Sequence, residues 1–224
     1  MTRDFSIPDT LRLTASLLSR DSGLLPPVGA AWFGAVVILT AVVQSGMPFG
    51  ASVVSLLVGS FFSALLTYAA VGRYTPSLNE AVSVASQAYL SVLVVSVISF
   101  VAAMIGLVFL IIPGVAVMVL FALVVPIVMA ERPGIIATFR RSFDLVWPAV
   151  LPILGFIVII AIPAFIAIAL GSAFIDAIIP GMTGLAVSGG LQAAAGGIIS
   201  IYASAAVYLT LTGGQRADVA GTFD

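Results

Sequence analysis

From Leu90 to Ala130 the chain carries no ionisable side chain. One helix needs about 20 apolar residues to cross the hydrocarbon of a bilayer, so this run is too long for a single crossing. It is also too apolar to be hidden inside a soluble domain of this size. Composition says the same. Of 224 residues, 62% are hydrophobic and 8% charged, against roughly 45–50% and about 25% in soluble domains. Lipid is the solvent that suits such a chain, and the expectation is an all-α integral membrane protein.

Six spans are expected, at about 25–44, 50–71, 90–112, 114–130, 147–170 and 188–212. Pro113-Gly114 divides the long run, because Pro-Gly marks a tight turn. The Arg residues then sort to one side. Arg3, Arg12 and Arg20 precede the first span and Arg73 separates the second from the third. Arg132, Arg140 and Arg141 lie between the fourth and fifth, and Arg216 follows the last. The opposite side keeps Asp176. By the positive-inside rule both termini are cytoplasmic. Tyr68, Tyr74, Tyr89 and Trp147 fall near the same boundary, where amphipathic rings collect. Residues 1–23 form a cytoplasmic amphipathic segment, 24–212 the bundle and 213–224 a polar tail.

Each cytoplasmic stretch contains a short amphipathic helix that would lie in the interface plane. The first opens at Ser6-Ile7-Pro8-Asp9, a capping arrangement with Pro in the first turn. Asp9, Arg12, Ser16 and Ser19 lie on its polar side, and Leu11, Ala15 and Leu18 on its apolar side. The second starts at Thr75-Pro76. The third starts near Pro133, with Ile136, Phe139, Phe143 and Val146 on one stripe. The chain thus reads as three hairpins, each preceded by an in-plane helix.

The chain has neither Cys nor His, which removes thiolate nucleophiles, imidazole bases and the commonest zinc ligands. A net charge of −1 without a basic stripe argues against nucleic acid as a partner. No cofactor is implied. The spans almost lack acids and bases, which ion-coupled transport requires. Small and hydroxyl residues recur within them. Gly59 and Gly106 lie in the second and third spans. Gln192, Gly196, Ser200, Ser204 and Tyr208 lie four apart in the sixth, a spacing suited to close helix packing. The densest polar group is cytoplasmic: Glu131, Arg132, Arg140, Arg141, Ser142 and Asp144. Arg140 and Asp144 can pair along one helix face, Glu131 can reach Arg141, and Arg forks suit a lipid phosphate.

Ile112-Pro113-Gly114, Pro126, Glu131, Ala137, Arg141-Ser142 and Leu145 together resemble the core of a bacterial and archaeal membrane-domain family. That family is named for its fusion, in some bacteria, to a glycerophosphodiester phosphodiesterase. A related group of uncharacterised six-helix inner-membrane proteins shares the pattern. The resemblance implies a bacterial cytoplasmic membrane location and this architecture. With only residues 213–224 after Thr212, the catalytic domain of the fused members is expected to be absent. The function expected is a non-enzymatic scaffold, complex subunit or lipid-organising module, with membrane lipids and other membrane subunits as partners. A passive transporter or channel component is the alternative, and a lipid-modifying enzyme is third.

Overall fold

The computed structural model describes residues 5–43, 50–72, 74–109 and 111–213, with side chains placed for 5–40, 55–72, 74–106 and 114–213. Among the described residues all regular structure is helical. The helices are α1 Ile7–Arg20, α2 Leu25–Val43, α3 Gly50–Val71, α4 Leu78–Phe109 and α5 Ile111–Leu120. They continue as α6 Val124–Glu131, α7 Ile135–Val146, α8 Val150–Ile178, α9 Met182–Leu191 and α10 Gly197–Leu211. A 3-10 turn, Trp147–Ala149, joins α7 to α8, and a π turn, Gln192–Gly196, joins α9 to α10.

Four helical stretches are long and apolar enough to cross a membrane: Leu78–Gly106, Gly114–Glu131, Ile135–Ile178 and Met182–Leu211. A fifth arises if α1 and the start of α2, bent by 88°, count as one broken span. α3 is helical over 22 residues, and its described apolar part is Ser55–Val71. α3 and α10 lie at the centre. α2, α4, α6 and α10 pack on α3, and α1, α6 and α8 pack on α10. α4 and α8 are peripheral and turn many large apolar side chains outward, Phe100, Phe165 and Phe174 among them.

The in-plane helices come out differently from expectation. α1 starts as read, with the Asp9 N–H donating to Ser6 Oγ at 3.4 Å and Pro8 in the first turn. Its inward line, however, is Thr10, Thr14 and Leu17, one residue away from the Leu11, Ala15 and Leu18 side. The reason is contact with protein: Thr10 Oγ1 lies 3.2 Å from Thr210 Oγ1 on α10. The second in-plane helix is not separate. α4 runs unbroken through Tyr89-Leu90, where no Gly or Pro stops it. The third flows through its 3-10 turn into α8, giving a continuous helical stretch of 44 residues.

Pro113-Gly114 is not the turn. Both residues lie inside α5, Ile111–Leu120. The stretch Gly114–Glu131 is interrupted by a turn at Phe121–Leu123, between α5 and α6.

The close helix approaches also shift. Gly196 is not the contact residue: a Cβ there would meet only Ile168 Cδ1, at 3.7 Å. Gly197 is. Its face lies against the Trp32 indole, where an added Cβ would overlap the ring. Trp32 is itself stacked on Phe62, centroids 5.3 Å apart. Gly190 makes the equivalent close approach on α9, against Val37 and Phe33 of α2. Overpacking a rigid aromatic wall costs about 1–3 kcal/mol. Gly197→Ala is therefore expected to lower the thermal midpoint of the detergent-solubilised protein clearly, and Gly196→Ala to leave it nearly unchanged. Equal midpoints for the two variants would contradict this seam.

Candidate functional site

The polar residues gather at one end of the bundle, and the backbone explains how. Pro126 has no N–H, so it cannot bond the carbonyl one turn back, at Ala122. The helix yields there: Val124 N–H turns to Phe121 O at 3.2 Å, and regular bonding resumes with Ile127 N–H to Leu123 O at 3.0 Å. Val124 is thus diverted from Leu120, whose carbonyl needs another donor. Ser142 of α7 supplies it, donating from Oγ to Leu120 O at 2.6 Å with no exposed surface of its own. Phe121 and Phe139, edge to face at 4.9 Å, pack beside this bond. α6 then ends in Arg132, the described non-glycine residue with positive φ (48°). Pro133 disfavours a further helical turn at the residue before it.

Glu131, at the end of α6, receives two donors. Tyr208 Oη of α10 donates to Oε1 at 3.0 Å, and Arg141 Nε reaches Oε1 at 3.4 Å and Oε2 at 3.3 Å. Arg141 approaches through one nitrogen and its side chain is 47% exposed, so this is a long, wet ion pair. Arg140 and Asp144 are exposed on α7 and no ion pair joins them, contrary to their i, i+4 spacing. Arg132 is exposed as well. The expected stripe of α7 splits. Val146 is buried and Phe139 packs inward, while Ile136 points out and Phe143 stacks outside on Trp147.

A second constellation was not read from the sequence. Asp21 is completely buried. Arg20 holds it through Nε to Oδ1 at 2.8 Å and Nη2 to Oδ2 at 3.0 Å. Thr75 Oγ1 donates to Oδ1 at 3.2 Å and Tyr202 Oη to Oδ2 at 2.9 Å. Arg20 also donates to the carbonyls of Gly72, at 3.0 Å, and Ala69. A third group joins Tyr68 and Tyr74, both donating to Glu80 Oε1 at 2.7 and 2.8 Å. The signal for the first two was two tyrosines, 202 and 208, inside an apolar helix, since buried phenols need partners. Their partners lie 181 and 77 positions away, beyond any local pattern.

The small-residue stripe separates. Gly59 makes ordinary contact with Trp32 at 3.8 Å, and Gly106 is half-buried on α4. Gly114 is buried. Ser200 is exposed, and Ser204 bonds Ile201 O of its own helix at 2.9 Å. A four-residue step overshoots a 3.6-residue turn by about 40°, so a stripe of four such steps winds roughly 160° around the helix. The π turn adds a further offset. No protein-family description, curated protein or solved structure matches the chain. Among the described residues no three potential metal ligands cluster.

Each acid at a helix junction is therefore an acceptor occupied by tyrosine, and two of them by arginine also. Loss of Ser142 Oγ strands a part-buried carbonyl, at about 1–3 kcal/mol, whereas a half-exposed ion pair is worth about 1 kcal/mol at most. Ser142→Ala is expected to destabilise more than Arg141→Ala in thermal melts. Asp21→Ala leaves the Arg20 cation and Tyr202 without their acceptor, at about 3–5 kcal/mol. It should be the most damaging of the three, and a melt that ranked Arg141→Ala first would refute this order.

Proposed function

We propose that this is a six-span protein of the bacterial cytoplasmic membrane with both termini in the cytoplasm. In this reading it acts without catalysis, as a scaffold, complex subunit or lipid-organising module. The observation that carries the reading is the use made of the acids. Asp21, Glu80 and Glu131 each accept hydrogen bonds that tie separate helices together, which is a structural task. The passive-conduit alternative is built around the Ser and Gly faces of the second, third and sixth spans; of these residues Ser204 donates its hydroxyl to Ile201 O of its own helix.

The topology is supported by which ends meet. Arg20 bonds carbonyls at the end of α3, and Tyr208 near the end of α10 bonds Glu131 at the end of α6. Those four helix ends meet through these bonds, and among the described residues Arg20, Arg132, Arg140 and Arg141 lie near them, in keeping with the positive-inside rule. The resemblance carried by residues 112–145 agrees with an inner-membrane location.

Because the chain has no Cys, single introduced thiols report cleanly. Thr183→Cys is expected to react with an impermeant maleimide from outside intact cells, and Ser77→Cys only after lysis. Labelling of Ser77→Cys in intact cells would overturn the topology. A lipid-modifying activity abolished by Glu131→Gln, with the fold intact, would overturn the non-catalytic reading.

A further inference from the structure

Gln192 is a carboxamide in the wrong solvent. It opens the π turn between α9 and α10 and is exposed. The ten residues of α9 rise about 15 Å, so Gln192 lies about 15 Å in from Met182, within a hydrocarbon core ~30 Å thick. This depth rests on the membrane reading above. Its Nε2 donates once, to Ser172 Oγ of α8 at 3.3 Å. Ser172 is buried, so that bond pins the amide at the edge of the α8–α9 groove. Among the described residues Oε1 and the remaining N–H have no partner, and hydrocarbon offers none.

The surroundings suit a helix more than a lipid tail. Leu185, two turns before Gln192, is 54% exposed. At Gly189 a Cβ would meet nothing within 4 Å, so a neighbouring backbone can come close. Ser200, two turns after, is exposed. What chooses the occupant is the amide itself. It carries donor and acceptor on one plane and is therefore complementary to its own copy. Two copies inserted in the same orientation can be related by a two-fold axis along the membrane normal. Across that axis each Oε1 meets the other N–H, which is the geometry of an isologous contact.

We infer that the face bearing Leu185, Gly189, Gln192 and Ser200 is the contact between two copies of this chain, with the paired Gln192 amides at its centre. The pair satisfies the two polar atoms that each copy leaves open. It also sets the register of the contact, as a single buried amide does in a coiled coil.

The full chain in proteoliposomes tests this across a series of protein-to-lipid ratios. Ser200→Cys is expected to form a disulfide-linked dimer under copper-phenanthroline oxidation. Phe100→Cys, on the outward side of α4 and 53% exposed, is expected not to. Single-molecule photobleaching should show dimers that Gln192→Leu weakens about tenfold, the combined effect of the two interhelical hydrogen bonds that the amide pair makes. Equal cross-linking at both positions, or monomers at every ratio, overturns the contact. So does a Gln192→Leu variant that associates as the parent does. If Gln192→Leu fails to fold, the two cysteine variants decide alone. Flotation separates the two layers of the argument: a chain that does not float with the vesicles sinks the membrane reading, whereas one that floats as a monomer sinks only the contact.

Discussion

A carboxylate without exposed surface is tolerable in an apolar bundle only when donors surround it. Asp21 meets that condition through Arg20, Thr75 and Tyr202, drawn from α1, the α3–α4 junction and α10. The group therefore ties together the start, middle and end of the chain. Arg20 answers a second need in the same stroke. The last carbonyls of a helix have no intrahelical donors, and the guanidinium takes those of Ala69 and Gly72 at the end of α3. Charge burial and helix termination are thus solved by one side chain, and the packing of α1 across the bundle follows from it.

The same reasoning explains the broken fourth span. Proline in the middle of an apolar helix strands carbonyls, and in lipid each stranded group must be answered by protein. Ser142 answers the one at Leu120. That contact fixes α7 against α6 and so brings Arg141 within reach of Glu131. The arginine is a consequence of the arrangement more than its cause. α10 contributes at both places, since Tyr202 serves Asp21 and Tyr208 serves Glu131. An otherwise apolar helix becomes the common donor for two junctions.

Much of the fold was legible because hydrophobic length is a local property. α2 begins at Leu25 and α3 ends at Val71, where the first expected span starts and the second ends, and Ser6 and Pro8 mark the start of α1. Glu131, Arg141 and Ser142 were recognised as one group, but the sequence assigned Ser142 no partner. A serine reads as a weak local signal, and only the carbonyl diverted by Pro126 shows why it is buried. Asp21 was missed because an Arg-Asp pair before a span looks like a solvated boundary. The close contact at Gly197 was missed because four-residue spacing was followed through a π turn that no local composition announces, and Gly190 lies before the series began.

The remaining discrepancy, two in-plane helices absorbed into longer ones, has a mechanical origin. Turning a helix into the membrane plane needs a hinge. Between α1 and α2 the segment Asp21–Leu24 provides one, with Gly23 in open space and Asp21 held fast on its inner side, and the axis turns by 88°. Between Leu78 and Phe109 nothing interrupts the ladder, and 32 residues reach about 48 Å, well beyond a ~30 Å core. The excess must stand outside the hydrocarbon. The residues that would do so are the polar ones: Glu80, Ser83, Ser86 and Gln87 fall in the first three turns. The stretch from Ile135 repeats the device, its first turns carrying Arg140, Arg141 and Asp144. Amphipathic character in these two segments therefore records a helix that emerges from lipid along the bundle, with one face on protein and the other in water. Only α1, which has the hinge, lies across the end that they build.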